Sequence, residues 1–141
     1  MKIFIDANVL LDKFDNSRVN NKYSQQVFEY CILNDFEIYT SCDLITTIYY
    51  INAKIDKQNA LKNIQLINQT INMISFSNLE IAKASNLMLK SSDYKDLEDT
   101  LQYILAIKED CDIIVSNDLK FVSKDIELLT SKGFIEKFIN S

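Results

Sequence analysis

Apolar positions along this chain follow two spacings in alternation. Ile3, Phe4 and Ile5 form an unbroken apolar run that stops at Asp6, the pattern of a short buried strand. Val9, Leu10, Leu11 and Phe14 then fit a short helical turn, and polar residues 15–21 fit a loop holding Arg18. Residues 23–34 carry Val27, Tyr30 and Cys31 on one helical stripe. Residues 36–40 predict a second strand. Ser41, Cys42 and Asp43 offer helix-start chemistry, and Leu44, Ile48, Ile51 and Ile55 follow as a helical core stripe. Residues 56–59 read as a polar break before a helix over 60–70, and 71–76 as a third strand. Ser77 and Glu80 match a capping box, which predicts a helix over 78–89. After a polar connection at 91–94, a helix over 95–108 places Leu97, Leu101, Ile104 and Leu105 inward. Residues 111–116 predict a fourth strand and 126–129 a weaker fifth. A closing helix over 131–140 has Gly133 near its start. Strands that alternate with helices imply a parallel sheet with right-handed crossovers. The expected fold is therefore a three-layer α/β/α sandwich of four to five short strands, one domain over 1–141.

The ends of the strands carry the chemistry. An unpaired buried carboxylate is costly, so Asp6 is an unusual close for a buried strand. In open α/β sheets, ligands sit beyond the carboxyl ends of the strands. Asp6 and Asn8 fall there, and Asp118 closes the fourth strand in the same way. Asp96 and Asp99 are three residues apart and share a helix face, which Tyr103 continues. If that helix starts at the carboxyl edge, these acids converge on Asp6 and Asp118. Packed carboxylates repel one another unless a cation joins them, and hard oxygen donors suit Mg²⁺ or Mn²⁺. Each acid also has a plainer reading: Asp96 as a helix N-cap, Asp99 as a first-turn charge, Asp118 as a turn residue. Asp93, Asp110, Asp112 and Asp125 read as solvated, and the Tyr49–Tyr50 pair as core and rim.

Composition narrows the chemistry. The chain has 141 residues and no histidine, which excludes a Ser-His-Asp triad, a His-based zinc site and a His acid–base nuclease. A net charge of −5 argues against strong nonspecific binding to nucleic acid, while leaving room for a local basic patch. One glycine and no proline predict connections built from Asn, Asp and Ser. Three cysteines without CxxC spacing argue against a disulfide framework or a cysteine zinc site. No signal peptide or membrane helix is expected, so a reducing cytoplasm is the simplest location.

Taken together, IFIDANVLLD at the start, DLEDTLQY in the middle and DIIVSNDLKF near the end resemble a PIN domain. The resemblance covers nearly the whole chain and is closest to small stand-alone bacterial proteins of the VapC-toxin type. The family's opening D-x-N falls on Asp6 and Asn8, its helix-start acid on Asp99, and its late acid on Asp118 with Ser116 as the hydroxyl. The resemblance implies a Mg²⁺- or Mn²⁺-dependent endoribonuclease acting on RNA, the toxin of a toxin–antitoxin pair. It implies an antitoxin partner and a homodimer.

One family position departs. Thr47 stands where a Glu is usual, and its hydroxyl supplies no charge. Asp43, one turn earlier, partly compensates in this reading, and Asp96 and Glu98 add acidity across the cleft. Two alternatives follow. One is a non-catalytic RNA- or protein-binding module on the same fold, with a degraded metal site. The other is a phosphatase of the haloacid-dehalogenase type, which wants a second Asp where Asn8 stands.

Overall fold

The computed structural model describes residues 1–141. Its strands β1 (Lys2–Ile5), β2 (Glu37–Ser41), β3 (Asn72–Ile74), β4 (Ile113–Val115) and β5 (Glu127–Leu129) form one parallel sheet in the order β3-β2-β1-β4-β5. The helices are α1 (Ala7–Phe14), α2 (Asn21–Leu33), α3 (Leu44–Ala53), α4 (Lys57–Thr70), α5 (Asn78–Lys90), α6 (Leu97–Lys108) and α7 (Ser131–Phe138). None is long and apolar enough to cross a membrane.

The pleat of β1 sorts the core into two layers. Ile3 and Ile5 face one side, against Val9 and Leu10 of α1, Val27 of α2, Ile48 of α3 and Phe134 of α7. Phe4 faces the other, against Ala84 of α5 and Leu105 of α6. Ile3 pairs with Ile113 and Ile5 with Val115, so the two central strands bury continuous apolar runs on both faces. The chain builds outward from β1 through β2 to β3, then returns to β1's other edge as β4. The topological switch point therefore lies between β1 and β4, whose carboxyl ends carry Asp6 and Ser116.

Aspartate does the work that glycine does elsewhere. Asp35 and Asp110 are the two residues with positive φ, at 55° and 54°. Each follows a helix, α2 and α6 respectively. The amide of Phe36 bonds the Cys31 carbonyl at 2.8 Å, and that of Cys111 bonds Ala106 at 2.9 Å. These are the closing bonds of Schellman caps, and they turn both helices directly into β2 and β4. The expectation of Asp-built connections is met here.

Several local expectations change. The polar break at 56–59 is instead the first turn of α4, because Asp56 caps the Asn59 amide at 3.2 Å. Helix α6 begins at Leu97 rather than 95, and Leu97 is exposed rather than inward. Ile51 and Ile55 leave the core stripe: α3 ends at Ala53, and Ile55 is 79% exposed. Tyr94, assigned to a polar connection, is buried against Tyr103 with ring centroids 5.4 Å apart. The capping box at Ser77 and Glu80 forms as expected.

Candidate active site

Asp6 is held before anything binds. Its backbone amide continues the sheet by bonding Val115 at 3.0 Å. Its side chain caps α1, taking the Ala7 amide at 2.6 Å on Oδ1. Oδ2 accepts the Ser116 hydroxyl at 2.8 Å and the Asn8 amide at 3.1 Å. Burial still dominates and raises the pKa of Asp6, against the opposing pull of Ser116, Ala7 and the nearby Gln102 amide; Asp118 adds to the rise.

Ser116 and Asn8 tie the two strand ends together. The Ser116 hydroxyl accepts the Asp118 amide at 3.1 Å, and Asn8 Oδ1 accepts the Asn117 amide at 3.1 Å. Asp118 Oδ1 in turn accepts the Lys120 amide at 2.9 Å, closing a tight turn that holds the carboxylate near the switch point.

The third acid arrives from α6. Asp96 is the N-cap and accepts the Asp99 amide at 2.9 Å, so its plainer role is real. Asp99, on the first turn, has its pKa pushed up to about 7 by burial first, then by the charges of Asp6, Asp96, Asp118 and Glu98. Glu98 is raised as well, by burial and by Asp6, Asp43 and Asp96.

These groups line one cleft of about 850 Å³, together with Asn8, Thr47, Asp93, Lys95 and Lys120. Thus Asp6, Asn8, Asp96, Glu98, Asp99, Asp118 and Thr47 are brought together, and Ser116 supports them from the floor. Thr47 is exposed on the cleft wall and brings no charge. Asp43 takes the Ser41 hydroxyl and makes no side-chain cap to α3, although it stands in the N-cap position. Asp43 therefore does not line the cleft; only its charge reaches in, adding to the effect of burial on Glu98.

The oxygen-only donor set and the mutual repulsion of its acids fit a hard divalent cation. No three of the carboxylates stand together as a ready-made cation site.

Some assignments are corrected. Tyr103 does not continue the acidic face: it is buried, stacks on Tyr94 and donates its hydroxyl to Asp125. Asp93 pairs with Lys124 at 2.6 Å and Asp112 accepts the Lys2 amide at 2.8 Å, so neither is simply solvated. Two residues were not singled out from sequence. Asn117 bridges the site to α1 and α7, bonding Asp12 at 2.7 Å and the Ser131 hydroxyl at 3.0 Å. Gln102, one turn beyond Asp99, is buried beside Asp6 with both amide atoms lacking a hydrogen-bond partner. Its spacing of three and four from Asp99 and Glu98 was the available signal.

The chain belongs to the PIN domain family, whose model matches residues 2–120. It is homologous to Ribonuclease VapC1 of Aquifex aeolicus (strain VF5), with 49% identity over 97% of this chain and 95% of that protein. Its fold matches VapBC2 from Rickettsia felis, solved with a promoter DNA fragment, at a TM-score of 0.71 and 16% identity over 91% of this chain and 97% of the other. It also matches VapBC-1 from nontypeable Haemophilus influenzae at a TM-score of 0.69 and 11% identity, covering 94% and 99% of the two chains.

Proposed function

We propose that this protein is a Mg²⁺- or Mn²⁺-dependent endoribonuclease in which Asp6, Asp99 and Asp118 hold the cation. The observation that carries this reading is the convergence of those three carboxylates on one cleft at the β1/β4 switch point, where burial first, and then the charges of Asp6, Asp96, Asp118 and Glu98, push Asp99 up to about 7. A divalent cation of the kind expected for the family supplies a polarised phosphodiester and a more acidic attacking water. The chain's own groups do the rest. The Ala7 amide and the Ser116 hydroxyl fix the Asp6 carboxylate. Asn8 holds the β4 turn against β1, setting the spacing of Asp6 and Asp118. Asp96 fixes the start of α6, and with it Asp99. Lys120, exposed beside Asp118, meets the RNA phosphate.

Asp6→Asn removes the central charge while keeping the shape. It should abolish Mn²⁺-dependent cleavage of a structured RNA, and undiminished cleavage by this variant rules the assignment out.

Thr47 favours one rival, a binding module that has lost catalysis. Calorimetric titration with Mn²⁺ separates the two, since a module with a degraded site takes up no metal at millimolar concentration.

The toxin role comes with a protein antitoxin as partner and a homodimer as assembly. Similarity to a VapC ribonuclease and to chains from VapBC assemblies supports it. Co-expression with the product of the adjacent gene, followed by light scattering of the purified complex, tests both.

A further inference from the structure

Opposite the acidic cleft, across the segment 91–96, lies a second groove of about 580 Å³ between α5 and α6. Lys83 and Lys90 of α5, seven residues apart and so on one helix face, line it together with Lys124 from the β4–β5 connection. All three are exposed. Neither Lys83 nor Lys90 makes a salt bridge. The only acid in the lining, Asp125, is occupied by the Tyr103 hydroxyl. Lys124 is paired with Asp93 at 2.6 Å, so the unpaired positive charge here is that of Lys83 and Lys90, in a chain of net charge −5.

The two depressions are neighbours: Tyr94 borders the groove and also a small pocket whose Lys95, Asp99 and Lys120 line the cleft as well. Lys95 and Lys120 are exposed and also without salt bridges, so they continue the positive track to the edge of the acids.

We propose that the α5/α6 groove is the RNA-backbone track of this protein, with Lys83 and Lys90 contacting phosphates of the strand that leaves the cleft past Lys95 and Lys120. This rests on reading the cleft as a ribonuclease site. A cleft lined with carboxylates repels a polyanion, and attraction must come from charge placed alongside it. The groove offers ammonium groups and an amide, Asn86, beside the apolar Leu87, Ile104 and Ile107, and its two tyrosines are buried rather than presented for stacking. It therefore grips backbone and reads no sequence.

The double variant K83E/K90E tests this on the full chain, because both residues are exposed and hold no other group. RNA binding is followed by fluorescence anisotropy across a salt series, independently of cleavage. Wild type is expected to bind with a steeper salt dependence, the variant losing several-fold in affinity and about 1.4 in the log–log slope, at about 0.7 per phosphate contact on single strands. Cleavage of an RNA spanning both depressions should suffer far more than cleavage of a dinucleotide confined to the cleft. An unchanged slope, or equal losses on long and short substrates, overturns the track. A variant that binds RNA normally but no longer binds an acidic peptide also overturns it, in favour of a protein-docking face. Wild type that binds RNA with the expected slope yet cleaves nothing leaves the track standing and fails the ribonuclease reading instead.

Discussion

Asn117 Nδ2 donates to Asp12 Oδ2 at 2.7 Å, joining the end of β4 to the buried outer turn of α1. Asp12 is only 6% exposed, and Arg18 reaches it at 3.1 Å. The other atoms of the Asn117 side chain are also used, with Oδ1 accepting the Ser131 amide at 2.8 Å. One amide therefore pins three elements behind the cleft. Asn117→Ala leaves buried acceptors and a donor unpaired and should cost about 1–3 kcal/mol. Asn117→Asp sets a second carboxylate against Asp12 and should cost more at neutral pH, recovering in acid as the pair takes up a proton. Urea unfolding of both variants at neutral and acidic pH checks this, and equal stability of the Asp variant and wild type would show that the bridge carries little.

The raised pKa of Asp99 gives the cleft a pH signature. Its folded value of about 7 lies above the ordinary 3.8, so between those values the folded, metal-free protein holds a proton that the unfolded chain releases. Its contribution to stability is thus lost as pH rises through that window, most of it by pH 7. Cation binding needs the ionised form and moves the other way, strengthening as pH climbs toward 7 and levelling off above it. The gain in Tm on adding Mn²⁺ should therefore be larger at pH 8 than at pH 6. A gain independent of pH would remove Asp99 from the cation site.

Thr47 sits on the wall opposite α6, where a fourth charge is absent. Thr47→Glu adds a carboxylate to a cleft whose acids already repel. The metal-free variant should be less stable than wild type, and its affinity for Mn²⁺ higher by about ten-fold, which is 1.4 kcal/mol. Calorimetry and thermal unfolding with and without metal read both arms. A variant destabilised with and without metal alike would mean that position 47 does not reach the ion.

How much of this was legible beforehand follows from the range of each interaction. Asp6, Asn8, Ser116 and Asp118 lie at strand ends, and strand ends are visible in a one-dimensional apolar pattern. Asp99 was visible from its position at a helix start. Tyr103 leaves the acidic face because spacings of three and four residues from Asp96 to Asp99 to Tyr103 give the helix face only approximately, and tertiary packing turns it toward Tyr94 and Asp125. Ile55 was misplaced because its stripe runs past the true end of α3. Asn117 could not be singled out, since its partners lie 105 and 14 residues away and an Asn beside a strand end reads as a turn. The lysine groove was equally hidden: Lys83 and Lys90 gain meaning only when α5 packs beside α6 and brings Lys124 into reach.

Gln102 is the least expected member of the site. Both its amide atoms are buried without a hydrogen-bond partner, which costs a fold about 1–3 kcal/mol relative to an apolar side chain of similar size. Its position beside Asp6 supplies a reason to keep it, because the amide favours the ionised carboxylate against the effect of burial. Gln102→Met should therefore raise stability, or leave it level, while pushing Asp6 further up. The acidic limb of the pH–rate profile for RNA cleavage should move to higher pH, and Mn²⁺ affinity below neutrality should fall. A structural role alone predicts the reverse pattern, a less stable protein whose profile stays in place. Denaturant unfolding paired with the pH profile of the same variant distinguishes them, and a profile that does not move would return Gln102 to the core.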